Sequence, residues 1–278
     1  MTSDARAKNV VSDMQTVTSA DGTSIAYWYS GEGPPLLLVH GGMSDRSAWI
    51  LVQPLLAEHF TVYTINQRGR EGSGEPKPFA FESYFEDVVA LIDKIGEPVH
   101  LLGHSGGALC SMGVALRTDR LRSLILYEPP APTAALEKLT ASRIRELVEA
   151  GDNEGAALEF FRIGPQVPEE DIERMRQSPI WPHLVSLAPT LVPEIDAFME
   201  YEFTISDYSA IDVPLLLLVG SDSPPDLRAV SDQLVDLVPD VRLVELEGQQ
   251  HGANFDAPEL FAAEVTKFLE NVEKERIS

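Results

Sequence analysis

Ser105 sits in the stretch GHSGG, Gly103–Gly107, between the apolar run Val99–Leu102 and the helix-like segment GALCSMGVALR. A serine alcohol is a poor nucleophile at neutral pH. Chemistry there requires a base, an acid to orient that base, and donors for an oxyanion. The G-x-S-x-G pattern suits the task, because glycines on both sides permit a tight strand-to-helix turn that exposes the hydroxyl. The helix that follows aims free N–H groups and the positive end of its dipole at developing negative charge.

Two other stretches offer partners. His251, in LEGQQHGANFDAPELF, follows the last apolar run and precedes the last helical pattern, where a loop imidazole can reach the serine as general base. In LLLVHGGMSDRSAW an HG-type loop follows an early strand, so the N–H groups of Gly42 and Gly106 are the expected oxyanion donors, with Met43 beside them. His40, at the strand end of that loop, reads as structural.

These groups need a scaffold. The stretch QTVTSADGTSIAYWYSG alternates β-formers around Asp21-Gly22, a hairpin pattern. The strand-like runs PLLLVH, FTVYTIN, VHLLGHS, LRSLILYE, VPLLLLVG and VRLVELEG follow, several with near-continuous aliphatic stretches, as in a parallel sheet covered on both faces. Between them DRSAWILVQPLLAEH, YFEDVVALIDKIG and RAVSDQLVDLV carry apolar residues at helical spacing. The order predicts a doubly wound, mostly parallel α/β sheet. Residues 16–130 and 212–278 form its core, and residues 1–15 are expected to be frayed.

From Glu128 to Val213 no strand pattern occurs. Helical segments such as LEKLTASRIRELVEA, NEGAALEFFR, EEDIERMRQ and EIDAFMEYEF fill roughly 80 residues, too long for a connection, so 131–211 is expected to be an inserted helical cap. Its aromatic residues should mostly pack the insert to the core. Any of Phe160, Phe161, Trp181, Phe198, Tyr201 and Phe203 is a candidate to touch a ligand, with Trp181 and Phe161 expected to govern substrate size.

Composition narrows the function classes. The chain has 278 residues and a formal net charge of -23, which repels a phosphate backbone and disfavours polyanionic substrates. No apolar stretch is long enough to span a bilayer, and no leader pattern opens the chain, so a cytoplasmic location without membrane contact is expected. Cys110 is the one cysteine, expected to be packed and inert, which leaves no disulfide pair or thiolate cluster. No metal or dinucleotide motif appears, so no cofactor is expected. Nothing in the sequence sets the oligomeric state.

With HGG, NQRGREGSG, GHSGG, the insertion after LYEPP, and GQQHG, the chain resembles the α/β-hydrolase family, in its capped esterase, lactonase and haloperoxidase-like branch. The likeness runs from about Thr16 to the last helix. The family segment D-x-R-G-x-G-x-S reads here from Asn66 to Ser73, with the first Asp replaced, a change in a normally structural segment. A serine at the elbow, where related dehalogenases and epoxide hydrolases carry Asp, argues against those activities. The resemblance commonly places the triad acid after the strand PLLLLVG, where this chain has Ser223 at the usual spacing and Asp222 one residue early. Some relatives use the end of the preceding strand, which here is Glu128, between apolar residues and a Pro-Pro turn. Glu128 is the preferred candidate and Asp222 the alternative.

The reaction implied is hydrolysis of a small, mostly apolar carboxylic ester or lactone through an acyl-enzyme, with the cap selecting the substrate. The same triad also serves C–C bond and thioester hydrolysis. A hydrolase-fold ligand receptor with little turnover is the reading from another class, since a fold alone does not fix function.

Overall fold

A computed structural model of the chain describes residues 11–74, 79–131 and 136–277. Residues 1–10, most of the segment expected to be frayed, lie outside the described residues, as does 132–135 within the expected cap. Strands β1 (Gln15–Thr18) and β2 (Ser24–Ser30) form the antiparallel hairpin, and β3 (Pro35–Val39) begins the parallel part. The amphipathic stretch after β3 is not one helix. It divides into a 3₁₀ turn, Arg46–Trp49, and the short α1 (Gln53–Leu56), where Pro54 in the first turn lacks the N–H that a continuous helix would need.

Then follow β4 (Thr61–Ile65), α2 (Glu82–Ile95), β5 (Val99–His104), α3 (Gly106–Ala115) and β6 (Leu121–Tyr127). Between β6 and the next strand the described chain is helical, with α4 (Leu136–Glu149), α5 (Asn153–Ile163), α6 (Glu169–Arg176), α7 (Trp181–Ser186) and α8 (Leu191–Glu200). The sheet resumes with β7 (Leu215–Gly220), α9 (Pro225–Leu237) and β8 (Val241–Leu246), and the chain closes with α10 (Ala253–Asp256) and α11 (Pro258–Ile277).

The 8-stranded sheet runs in the order β1-β2-β4-β3-β5-β6-β7-β8. Its first two pairings are antiparallel and the remaining ones parallel. Alternate residues of one strand serve opposite faces. Leu37 and Val39 join a core beneath α2, α3 and α9, whereas Leu36 and Leu38 join a second core with α1 and α11. Both faces are therefore apolar, which is why the runs are continuous rather than alternating. A third cluster, including Ile144, Ala157, Trp181 and Leu191, gives the helices between β6 and β7 their own core. Cys110 is fully buried on α3. Among the described residues no helix is long and apolar enough to cross a membrane.

Candidate active site

The turn from β5 into α3 is set by close packing. A Cβ on Gly103 would stand 2.3 Å from the Gly107 carbonyl oxygen, and one on Gly107 would stand 2.3 Å from that of His40. Only hydrogen fits at both positions. Ser105 between them takes φ 54 and ψ -126, a region that costs a side-chain-bearing residue about 1–3 kcal/mol. The surroundings hold it there. Its N–H donates to the Tyr127 carbonyl (2.9 Å), and its own carbonyl accepts from the N–H of Ala108 (2.8 Å). The side chain is thereby presented at the N-terminal end of α3, in a cavity it shares with His251.

The Gly41–Gly42 loop lies against this turn. A Cβ on Gly106 would lie 3.6 Å from the Gly42 nitrogen, and one on Gly41 3.6 Å from Ser105 Oγ. Two backbone N–H groups, those of Gly42 and Gly106, therefore flank the serine. His40 braces the loop from within the core. Its Nδ1–H donates to the Gly41 carbonyl (2.8 Å), its Nε2 accepts from the Gln67 N–H (3.1 Å), and the Gln67 amide returns a bond to the His40 carbonyl (2.9 Å). Burial, with the Arg70 charge adding to it, pushes His40 down to about 3, so the imidazole stays neutral and keeps Nε2 as an acceptor.

His251 hangs on the loop between β8 and α10, and three groups fix it. Its Nδ1 lies 2.5 Å from Glu128 Oε2, its backbone carbonyl accepts from His104 Nε2 (2.9 Å), and the Tyr127 hydroxyl bridges the residues on either side. That hydroxyl accepts from the Ala253 N–H (3.1 Å) and donates to the Gln250 carbonyl. The His104 ring stacks on Tyr127 with centroids 4.9 Å apart. Burial, and then the neighbouring His251, hold His104 well below its ordinary value, so it is a neutral donor.

Glu128 follows β6 in a left-handed backbone conformation, φ 47, and is fully buried. Its Oε1 accepts from the Gly220 N–H at 2.7 Å, and its Oε2 faces His251. Both oxygens are engaged, as a buried carboxylate requires. Asp222 is placed differently: it is exposed, and its carboxylate accepts from Ser221 Oγ (2.9 Å). With Nδ1–H committed to Glu128, the tautomer of His251 leaves Nε2 free to take a proton.

The cavity measures about 650 Å³ and is roofed by residues of α4, α5 and α8, including Ile144, Phe160, Ile195 and Phe198. Met43 and Trp181 do not line it. Both are buried in the cluster that joins the helices between β6 and β7 to the loop after β3, where the Trp181 indole N–H donates to Glu154. Phe161 also packs there, while its neighbour Phe160 reaches within 3.4 Å of a Cβ placed on Gly42.

Sequence reasoning missed the polar group on the cavity's other side. Glu194 of α8 lines the cavity and forms a buried ion pair with Arg70, and Tyr84 lines it nearby. Arg70 lies in NQRGREGSG and was in view, but an acidic residue on an amphipathic helix reads as solvated, so nothing singled out Glu194.

Comparison with known proteins agrees with this architecture. A model of the alpha/beta hydrolase family matches residues 36–264. The structure of an alpha/beta hydrolase from Sphaerobacter thermophilus superposes with a TM-score of 0.81 at 34% identity, covering 92% of this chain and 100% of that one. A thermophilic esterase from Thermogutta terrifontis superposes with a TM-score of 0.78 at 25% identity, covering 94% and 99%. Among curated proteins, the 2-(acetamidomethylene)succinate hydrolase of Mesorhizobium japonicum is 27% identical over 254 residues, 86% of this chain and 89% of that protein. The protein belongs to the alpha/beta hydrolase family.

Proposed function

We propose that this α/β hydrolase is a serine hydrolase that cleaves a small carboxylic ester or lactone through an acyl-enzyme. The observation that carries the reading is the His251–Glu128 contact of 2.5 Å beside a cavity that also contains Ser105. His251 Nε2 takes the proton of Ser105 Oγ as the oxygen attacks the substrate carbonyl carbon. The N–H groups of Gly42 and Gly106 hold the oxyanion. Collapse expels the alcohol, which receives its proton from His251. A water molecule then repeats the sequence on the acyl-enzyme and releases the acid.

The cavity wall supports a mostly apolar substrate. Its lining is largely aliphatic and aromatic, and among the described residues it includes no lysine or arginine, while Glu194 and Asp226 are present. A succinate of the kind named for the Mesorhizobium relative would bring carboxylates to a wall without an exposed cation. The esterase from Thermogutta is the closer guide to the reaction.

The test combines turnover with covalent labelling. A panel of neutral esters and lactones should contain good substrates, and an organophosphonate should add one adduct at Ser105. Ser105→Ala should abolish labelling and lower kcat by roughly four to six orders of magnitude. Labelling that survives this substitution, or a panel with no turnover, would refute the proposal; ligand binding with negligible turnover would point to a receptor instead.

A further inference from the structure

We infer that Glu194 is a specificity-determining residue that accepts a hydrogen bond from the substrate, so that the preferred substrate carries a hydroxyl, amide N–H or ammonium donor within a few bonds of the scissile carbonyl. The inference deepens the ester or lactone hydrolase reading of the same cavity and rests on it.

Glu194 lies on α8 with its side chain 10% exposed, and its Oε1 pairs with Nη1 of Arg70, whose side chain is fully buried. Arg70 is itself fixed, because its Nε donates to the Ser44 carbonyl at 2.6 Å, in the loop that carries Gly42. A carboxylate on a helix facing the interior is costly unless a partner offsets its desolvation, and Arg70 is that partner. The pair thus anchors one oxygen of Glu194. The other, Oε2, belongs to a residue that lines the cavity and is the oxygen that approaches Gly42.

The position of Oε2 gives it a role in substrate choice. It lies 3.6 Å from a Cβ placed on Gly42, the residue whose nitrogen is in turn 3.6 Å from a Cβ placed on Gly106. A carboxylate oxygen therefore stands at the edge of the place where the reacting carbonyl oxygen would bind. A substrate that lacks a donor there would strip this oxygen of water and leave it unpaired on binding, which is the strong form of discrimination available to a polar group in an apolar pocket.

Tyr84 adds a second observation. It also lines the cavity, it is 4% exposed, and its hydroxyl is buried without a hydrogen-bond partner among the described residues. An unfilled hydroxyl and a cavity-lining carboxylate, in a wall that includes Phe81, Phe160, Leu191 and Phe198, mark a polar subsite rather than a packing accident. A hydroxyl or N–H on the substrate satisfies Glu194. A substrate carboxylate would instead meet Oε2 as a like charge.

The test reads recognition apart from the reaction. Phenyl 3-hydroxybutanoate, its 3-methoxy counterpart and the phenyl hemiester of succinic acid are titrated into Ser105→Ala protein, and their dissociation constants are measured by ligand-observed NMR. The hydroxy ester should bind at least tenfold more tightly than the methoxy ester, and the hemiester should bind weakest. Glu194→Gln turns an amide N–H toward the cavity and should bring the first two within about twofold. Because that variant leaves Arg70 without its charge partner, the Arg70→Met/Glu194→Leu double variant is measured beside it, and it should show the same loss of preference. Equal binding of hydroxy and methoxy esters to Ser105→Ala protein, or a preference for the hemiester, overturns the inference. Failure of the whole ester and lactone panel to turn over would instead overturn the reaction proposed, and the binding preference would still decide the role of Glu194.

Discussion

Glu128 and His251 are 123 positions apart in sequence, yet Oε2 of the first lies 2.5 Å from Nδ1 of the second. The contact exists because β6 is a neighbour of both β5, which delivers Ser105, and β7, whose Gly220 N–H holds the other carboxylate oxygen at 2.7 Å. The Glu128 carboxylate is thus clamped between the strand that leads to Ser105 and the backbone two residues before Asp222.

Losing that carboxylate should release the imidazole to the wrong tautomer and withdraw support for the imidazolium. Glu128→Gln is expected to lower kcat by roughly 10⁴ while KM changes little. Asp222→Asn, at an exposed position, should stay within about tenfold of the parent. Steady-state kinetics with thermal melting as the control for folding decide the matter. An inactive Asp222→Asn beside a normal Glu128→Gln would reverse the assignment.

Tyr127 makes a second, separable prediction. Its hydroxyl ties Gln250 and Ala253 on either side of His251, so Tyr127→Phe leaves a buried N–H and a carbonyl without their partner. That should cost about 1–3 kcal/mol in unfolding free energy. The loop carrying His251 should also loosen, so kcat and the rate of phosphonate labelling fall while KM holds. An unchanged labelling rate in a destabilised protein would show that the hydroxyl serves only the fold.

Substrate size should be read by Phe160 and not by Trp181. Phe160 lies over Gly42 in the cavity wall, whereas Trp181 is buried in the core of the helices between β6 and β7. Phe160→Ala is expected to raise kcat/KM for bulky esters relative to small ones by about tenfold. Trp181→Phe should lower the melting temperature, through lost volume and the bond to Glu154, at a cost of about 1–3 kcal/mol, and leave the bulky-to-small ratio alone. Equal shifts in that ratio for both variants would count against this division.

The sheet was legible because its inner strands are buried on both faces and so read as aliphatic runs, such as Leu215–Val219, that no amphipathic helix would contain. The elbow was legible for a steric reason, since Gly103 and Gly107 both stand where a Cβ would clash. Two features stayed hidden. The break after Trp49 depends on Pro54 falling early in a new turn rather than late in an old one, and the apolar spacing around it fits either. The cavity wall depends on which of two adjacent aromatics, Phe160 or Phe161, α5 turns inward, and on Glu194 meeting Arg70 from a distant segment. Periodicity reports that a face is buried, but the partner that makes a buried charge tolerable comes only from tertiary packing.

Acid stability gives the last prediction. His100 is fully buried, with Nδ1 against Ser123 Oγ (2.8 Å) and its ring edge-on to Phe60, and burial pushes it down to about 4 despite the nearby Glu273. In the unfolded chain the same imidazole titrates near its ordinary value of 6.5. Above 6.5 both states are neutral there and the full stability is present. Below it the unfolded chain binds a proton that the native protein refuses, so stability is lost as pH falls from 6.5 toward and through about 4. Over that window one histidine contributes about 2–3 kcal/mol. His100→Asn is neutral at every pH. It should be less stable than the parent at pH 8, yet its unfolding free energy should fall less steeply between pH 6.5 and 4, by about one proton in the linkage slope. Urea titrations of both proteins across that range measure the difference, in which the carboxylates common to both cancel. Parallel slopes would mean that His100 accepts its proton in the folded protein, and that Glu273 outweighs burial.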